Sequence, residues 1–275
     1  HFHVVAHRLD GMGERLRILI QAMHVADSLG CEYRFTWQDT HLMTRTSFHT
    51  LPAASNMFSS DFLNAHLLET NFDPNDYRIL EYKCFLKDHW KEKNWPNGDK
   101  GILLQGPRKV SMSDIPQELE SRSRYRSYFD KIEFSPDLMK AIQAAQSVPL
   151  SNRTIAFHLR GGDIVFGRAR ERPRYLFKVV PLPLAISFAK ELIAEGNTVL
   201  VFGDDQDSIR LMESFGAVAA INLTERLSET STQADLFDMV LMSRCDKIYA
   251  SDSSAFANLA TLIGSAELIN VISLE

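Results

Sequence analysis

The residues best suited to chemistry in this sequence lie in the segment HLRGGD, residues 158–163, directly after a short apolar run. Arg160 offers a forked guanidinium group, which binds phosphate oxygens in pairs. The two glycines that follow allow a ligand to approach the backbone closely, and Asp163 supplies a carboxylate that can accept a proton. The segment therefore predicts a place where a diphosphate can approach and be held by Arg160. The alternative interpretation is a strand end closed by a surface ion pair between Arg160 and Asp163.

Three further segments carry polar groups of a related kind: DGMGERLR at 10–17, GDDQD at 203–207 and SDSSAF at 251–256. The serine segment opens a predicted helix, whose free amides favour phosphate, although an ordinary serine cap is the alternative. The adjacent carboxylates Asp204 and Asp205 can accept hydrogen bonds from a base or a ribose, or can simply begin a helix. The glycine segment lacks the third glycine of the dinucleotide fingerprint, which disfavours a standard Rossmann cofactor site.

Each of these segments follows a predicted strand, at the end where open α/β sheets bind ligands. Alternating apolar strands and helical patterns indicate an α/β protein. We predict strands at 3–8, 31–37, 101–107, 153–159, 198–203, 217–223, 247–251 and 269–273. We predict helices at 11–30, 115–134, 135–148, 182–195, 206–215, 232–244 and 254–264. The first of these helices has its apolar residues on one face.

The region between residues 38 and 100 is less regular. Residues 44–62 are loop-like in composition, and residues 79–101 are mixed and end in turn chemistry. From residue 153 onward the alternation of strands and helices is regular. That second half therefore predicts one doubly wound sheet.

Length and charge limit the classes of function. The chain has 275 residues, which favours two domains, and we place the division between residues 150 and 151. A net charge of −5 disfavours a nucleic-acid partner. The three scattered cysteines have neither zinc nor disulfide spacing, and no apolar run approaches the ~18 residues of a membrane span. We therefore expect a cytoplasmic protein whose association with a membrane, if any, is peripheral.

The segments GMGERLRIL, HLRGGD, VFGDD and ASDSSAFANLA occur in an order that resembles the fucosyltransferase superfamily. This superfamily groups the α-1,2-, α-1,6- and protein-O-fucosyltransferases, and the phrase YFDKIEFSPDLMKAI also fits it. The resemblance implies a GT-B-type α/β fold, with two Rossmann-like domains facing across a cleft. Residues 1–150 would form the acceptor-side domain and residues 151–275 the domain that binds a nucleotide-sugar donor.

The resemblance also implies roles for individual residues. Arg160 would hold the diphosphate as the catalytic residue that steadies the leaving nucleotide. Contacts to the donor would come from Gly11, Gly13, Arg17, His158, Asp204, Asp205, Ser253 and Ser254. The family often has asparagine where this chain has Glu14, so this carboxylate either faces the acceptor or requires neutralisation by a neighbouring arginine. No metal and no cofactor are implied, because the nucleotide-diphosphate sugar is itself a co-substrate.

The implied reaction is transfer of a 6-deoxyhexose with inversion, without a metal ion. L-Fucose from GDP-fucose and L-rhamnose from dTDP- or UDP-rhamnose both remain open as donors. Direct displacement requires a carboxylate to take the proton of the acceptor hydroxyl. Asp163 is the first candidate for this catalytic base, and Asp10 and Glu14 are the second.

The acceptor is expected to be a glycan or glycolipid of bacterial glycan assembly. Arginines follow the HLRGGD segment closely, among them Arg168 and Arg170, and predict an acidic acceptor; a solvated basic loop is the alternative. Two other functions remain open at this point. One is a non-catalytic nucleotide- or carbohydrate-binding module of a larger glycan-assembly protein, and the other is a nucleotide-sugar epimerase of the same architecture.

Overall fold

The computed structural model describes residues 2–8, 11–37, 52–68, 72–86, 100–105, 122–160, 178–223, 231–251 and 254–274. It is an α/β protein with two parallel sheets, one in each of two compact units. Among the described residues, the first unit ends at Ser135 and the second begins at Pro136. The expected division at residues 150 and 151 thus lies 15 residues further along the chain than the observed one.

A helix explains this difference in the division. Residues Pro136–Ser147 form a helix that packs on the helix Ser231–Ser243 of the second unit. Arg244 donates a hydrogen bond to the carbonyl oxygen of Ala145 near the end of the first of these helices, and Gln233 donates to the carbonyl oxygen of Asp137 near its start. The helix therefore belongs to the core of the second unit.

The sheet of the first unit has the strand order β2-β1-β4-β3, and its neighbouring strands are parallel. The strands are β1 (His3–Ala6), β2 (Glu32–Phe35), β3 (Tyr77–Glu81) and β4 (Gly101–Gln105). The helices of this unit are α1 (Met12–Leu29), α2 (Ala54–Met57), α3 (Ser60–His66), α4 (Tyr82–Leu86) and α5 (Arg122–Phe129). A 3-10 turn at Pro74–Asp76 leads into β3.

Two sequence-based expectations for this unit are wrong. The segment 44–62 is not wholly loop-like, because α2 and the start of α3 lie in it; Phe58 and Phe62 anchor these short helices in an aromatic cluster with Phe35. The helix expected at 115–134 does not reach residue 134, because the chain turns after α5 and Phe134 forms an antiparallel bridge with Phe58.

Helix α1 is buried on all its sides through most of its length. Every residue from Met12 to Ala26 is buried, including Glu14, Arg15 and Arg17. The helix ends at Gly30, whose φ of 65° lies in the left-handed region that favours glycine. The expected helix is therefore present, but its burial extends well beyond the single apolar face that the spacing predicted.

The sheet of the second unit has the order β7-β6-β5-β8-β9, with parallel neighbours. Its strands are β5 (Thr154–Leu159), β6 (Thr198–Gly203), β7 (Val218–Ala219), β8 (Lys247–Ala250) and β9 (Glu267–Asn270). Its helices are α6 (Pro136–Ser147), α7 (Leu182–Ala194), α8 (Gln206–Glu213), α9 (Ser231–Ser243) and α10 (Ala255–Ile263). The strand predicted at 217–223 is limited to Val218–Ala219, because a 3-10 turn occupies Ala220–Leu223.

The central strand β5 and its neighbour β6 are apolar, as expected for strands of a parallel sheet with helices on both faces. In β5 the residues Ile155, Ala156 and Phe157 are at most 3% exposed, and β6 is buried to the same degree from Val199 to Phe202. In the described part of the chain, none of the helices has the length and apolar composition required to cross a bilayer.

Candidate active site

The centre of the second sheet creates the geometry of a binding site. The chain leaves β5 towards β6 on one side, while β8 lies on the other side of β5. In open parallel sheets, a crevice forms outside the carboxyl ends of the strands at such a reversal of strand order. His158 and Arg160 lie at the end of β5, Asp204 follows β6, and Ser254 follows β8. Three of the four predicted segments are thus brought to one edge of one sheet.

A hydrogen bond joins two of these segments directly. His158 Nδ1 lies 3.1 Å from Ser254 Oγ, although the two residues are 96 positions apart in the sequence. Ser254 is also the N-cap of α10, because its Oγ accepts a hydrogen bond from the amide of Ala257 at 3.3 Å. Phe256 stacks on the imidazole ring, with 5.5 Å between ring centroids and 23° between ring planes. The position and plane of the His158 ring are therefore defined by α10.

The electrostatic surroundings keep His158 neutral. Burial, followed by the positive charge of Arg160, lowers the pKa of His158 from 6.5 to about 4, while the carboxylate of Asp204 acts in the opposite direction. Arg160 and Asp204 are thus the two charged groups that act on this ring. The edge of the sheet thus combines a guanidinium group, a neutral imidazole and a carboxylate.

The two predicted carboxylates after β6 differ in their contacts. Asp205 is the N-cap of α8; it accepts a hydrogen bond from the amide of Asp207 at 3.3 Å and another from the hydroxyl of Ser208. Asp204 is exposed and has interactions of its own beyond its effect on His158. Asp205 thus matches the helix-start alternative of the sequence analysis, and Asp204 is the better placed of the two to meet a ligand.

Several predicted site residues lie outside the described residues. They are Asp10, Asp163, Arg168, Arg170 and Ser253. Their expected roles as base, acceptor contacts and diphosphate contact therefore stay predictions. Arg160, the last described residue after β5, is half-buried and interacts with other residues.

The remaining predicted residues lie at the start of α1 in the first unit. Gly11 is the N-cap of this helix, and Gly13, Glu14 and Arg17 follow in its first two turns. Arg17 forms an ion pair with Glu14, with 3.6 Å between Nη1 and Oε1, and the two side chains are 1% and 9% exposed. Of the two alternatives for Glu14, neutralisation by a neighbouring arginine is therefore available from Arg17.

Sequence reasoning missed a set of residues at the carboxyl ends of β1 and β2. Arg15 places its guanidinium carbon 5.0 Å from the centre of the Trp37 ring, an arrangement of the cation–π type. His7 Nδ1 lies 2.7 Å from the hydroxyl of Thr36, and burial together with Arg15 lowers the pKa of His7. His7 follows the observed strand β1 by one position and Trp37 follows β2 by two. The predicted strands 3–8 and 31–37 extended over both residues, so the strand-end rule did not select them.

Comparison with known proteins places the fold. No family model matches the sequence, and no curated protein matches it. Among solved structures, NodZ α-1,6-fucosyltransferase soaked with GDP-fucose superposes with a TM-score of 0.57 at 16% identity, covering 96% of this chain and 93% of that one. The fold is that of fucosyltransferases. The fold class predicted from the motifs is therefore confirmed.

Two further structures agree with this fold. Fucosyltransferase NodZ from Bradyrhizobium has a TM-score of 0.55 at 14% identity and covers 96% of this chain and 93% of its own. POFUT1 in complex with GDP has a TM-score of 0.51 at 9% identity, with 97% and 98% of the two chains covered. The fucosyltransferase fold thus extends over nearly the whole length of both chains in each comparison.

Proposed function

We propose that this chain is a fucosyltransferase that transfers L-fucose from GDP-fucose to a glycan or glycolipid acceptor, with inversion at the anomeric carbon. The observation that carries the proposal is the contact between His158 and Ser254, which joins the ends of β5 and β8 at the switch point of the second sheet. Arg160 and Asp204 influence the same imidazole. A cation, a helix N-terminus and an acceptor of hydrogen bonds are the groups that a nucleoside diphosphate requires.

We propose that Asp204 contacts the base of the donor nucleotide, and this contact would favour guanine. An ionised carboxylate only accepts hydrogen bonds and can accept two side by side. The Watson–Crick edge of guanine presents two neighbouring donors, its N1–H and its exocyclic amine. Uracil and thymine present a single N–H between two carbonyl oxygens, which a carboxylate repels. Asp204 therefore supports GDP-fucose over dTDP- or UDP-rhamnose as the donor.

Arg160 and the amides at the start of α10 stabilise the leaving group. When the bond between the anomeric carbon and the phosphate oxygen breaks, its electron pair goes to the diphosphate, and negative charge accumulates there. Fixed positive groups that face this charge lower the barrier because they need no reorganisation during the reaction. The acceptor hydroxyl attacks the opposite face of the sugar, which inverts the configuration.

The proton of the acceptor hydroxyl goes to a carboxylate. Asp163, Asp10 and Glu14 are the three candidates for this base, and Glu14 is the one that the structure describes. Its Oε1 faces Arg17, while its Oε2 accepts no hydrogen bond within the described part of the chain.

The first experiment measures thermal stabilisation of the chain by GDP, dTDP, UDP and CDP. A ligand at 100 times its dissociation constant adds about 2.7 kcal/mol to the free energy of unfolding. We expect GDP to stabilise the protein and the Arg160→Ala variant to lose this effect. Arg153→Ala is the matched control, because Arg153 precedes the amino end of the same strand, β5, and binds the carbonyl of Glu195.

The outcomes separate the alternatives. Stabilisation by dTDP or UDP instead of GDP would favour a rhamnosyl donor, and equal loss in both arginine variants would remove Arg160 from the site. With GDP bound, turnover of GDP-fucose is then followed with and without glycan acceptors. Binding without turnover would favour a binding module, and conversion of the sugar without an acceptor would favour an epimerase. Stabilisation by none of the four nucleotides would leave the fold unchanged and remove the proposed function.

A further inference from the structure

The protons of the contact between His158 and Ser254 can be assigned from the surroundings of the serine. A hydroxyl has one proton to donate and two lone pairs to accept with. Ser254 Oγ uses one lone pair for the amide of Ala257, at 3.3 Å. Its distance of 3.1 Å to Nδ1 of His158 allows either group to be the donor in that second contact. The choice depends on where the hydroxyl proton goes.

One of the two arrangements satisfies both the proton and the lone pairs of the Ser254 hydroxyl. If Ser254 donates to Nδ1, its proton has an acceptor and its lone pair holds the Ala257 amide. If Nδ1–H donates instead, the hydroxyl proton needs another acceptor, and Ser254 is only 1% exposed to water. Within the described part of the chain, the contacts of Oγ are the Ala257 amide, which is itself a donor, and Nδ1. A buried hydroxyl proton without an acceptor is unfavourable, so Nδ1 is the acceptor.

The consequence concerns the other ring nitrogen. A neutral imidazole carries one proton, so Nε2 holds it when Nδ1 accepts. The stacked ring of Phe256 fixes the plane in which this N–H lies. Diphosphate oxygens only accept hydrogen bonds, and an unprotonated Nε2 would repel them.

We infer that Ser254 holds His158 in the Nε2–H tautomer, so that the imidazole presents a hydrogen-bond donor to an anionic oxygen of the bound nucleotide diphosphate. This inference rests on the proposed function for the identity of the ligand. It changes the role predicted for Ser254 from the sequence. Its single proton is committed to His158, and Ser254 is then a positioning residue that acts through the imidazole.

The test is a tautomer measurement on the full, ligand-free chain. Long-range ¹H–¹⁵N correlation spectra of histidine-labelled protein distinguish a protonated from an unprotonated ring nitrogen, and the His158→Gln variant identifies the signals of His158 by their loss. We expect a protonated Nε2 and an unprotonated Nδ1 in the wild type. A protonated Nδ1 in the wild type would overturn the inference without any variant.

Two substitutions at Ser254 make the test specific. Ser254→Asp retains a good helix cap but removes the hydroxyl proton, and we expect it to move the imidazole proton to Nδ1. Ser254→Thr retains the hydroxyl and should leave the wild-type tautomer. A spectrum of Ser254→Asp with Nε2 still protonated and Nδ1 still bare would also count against the inference, because the serine would then not determine the tautomer.

The functional arm uses GDP as the probe. Loss of one well-placed neutral hydrogen bond raises the dissociation constant roughly tenfold. We expect this increase in the dissociation constant for GDP in Ser254→Ala. Ser59→Ala is the matched control, because Ser59 caps α3 in the first unit through the amide of Phe62 at 3.1 Å. Unchanged GDP affinity in Ser254→Ala would overturn the positioning role. If GDP does not bind the wild type while the tautomer is as inferred, the proposed function fails and the tautomer assignment stands.

Discussion

The backbone of Gly203 lies directly against the backbone of Leu159, where β6 and β5 end side by side. A Cβ added at Gly203 would come within 2.4 Å of the carbonyl oxygen of Leu159. That oxygen belongs to the main chain and cannot rotate away. The close approach of the two strands therefore requires glycine at the edge where Arg160 and Asp204 follow.

We expect Gly203→Ala to lower the free energy of unfolding by about 1–3 kcal/mol, the usual range for a group forced into a packed core. Gly11→Ala is the comparison. Gly11 has an extended backbone with φ of −62°, and a Cβ there would meet nothing within 4 Å. Its effect on stability should stay below about 1 kcal/mol. Chemical denaturation of both variants checks the difference, and equal destabilisation would contradict it.

The low pKa of His158 predicts a pH dependence of stability. The folded value of about 4 lies below the value of 6.5 in the unfolded chain, so the unfolded state binds more protons between these two pH values. Stability from this group is complete above pH 6.5 and is lost as the pH falls towards 4. The loss is on the order of 3 kcal/mol. Denaturation of the wild type and of His158→Gln across this pH range measures it, and identical slopes would refute the effect.

The buried ion pair between Arg17 and Glu14 predicts that removing the arginine lowers the free energy of unfolding much more than breaking an exposed pair does. Arg17→Met leaves the Glu14 carboxylate buried without its partner and should cost about 3–5 kcal/mol of unfolding free energy. The pair of Arg210 and Asp207 in α8 has the same spacing of three residues and a distance of 3.7 Å, but both side chains are exposed. Arg210→Met should cost less than about 1 kcal/mol. Similar costs for the two variants would show that burial is not the cause.

Replacing Asp204 and replacing Asp205 should have different effects, the first on GDP binding and the second on stability. Asp204→Asn keeps the size of the side chain but no longer accepts two hydrogen bonds, so we expect weaker GDP binding with little change in stability. Asp205→Ala removes the cap of α8 and should cost about 1 kcal/mol of stability. Asp205→Asn retains the cap and should restore most of that loss. Nucleotide titration and thermal unfolding of the three variants provide the measurement; a stability loss in Asp204→Asn as large as in Asp205→Ala would contradict the division of roles.

The acidic acceptor, predicted from Arg168 and Arg170, has its own test. An acceptor that bears a carboxylate should react faster than the analogue in which that carboxyl is reduced to an alcohol. Replacing both arginines with glutamine should abolish the preference while GDP binding is retained. Equal rates of the wild-type chain on the two acceptors would refute the prediction.

The sequence predicted β5 and β6 well because both are largely apolar runs that glycine and acidic residues follow closely. The strand predicted at 269–273 is instead β9, Glu267–Asn270, because a 3-10 turn occupies Val271–Leu274. β3 was missed because it is an edge strand whose Ile79 is 56% exposed, so its pattern lacks the buried alternation of a typical strand. The burial of α1 was underestimated because Glu14, Arg15 and Arg17 are residue types usually found at the surface. The ion pair of Glu14 with Arg17 and the contact of Arg15 with the Trp37 ring depend on geometry that spacing alone does not reveal.

The sequence predicted individual residues of the candidate site but not the contacts between them. Strand-end position indicated His158 and Ser254 separately, since each follows or ends an apolar run. Their hydrogen bond depends on the neighbouring positions of β5 and β8 in the sheet, and strand order is a property of the whole unit. Nor could the sequence distinguish Asp204 from its neighbour Asp205, because the capping role becomes visible only with the backbone of α8 in place.

Each sheet is built from one continuous stretch of chain, the first from residues 3–105 and the second from residues 154–270. During synthesis, the ribosome therefore completes every strand of the first sheet before any strand of the second exists. At roughly 5–20 residues per second, this gives the first sheet several seconds in which to form alone. While the first sheet folds, its strands therefore cannot pair wrongly with strands of the second sheet, because those strands have not yet been made.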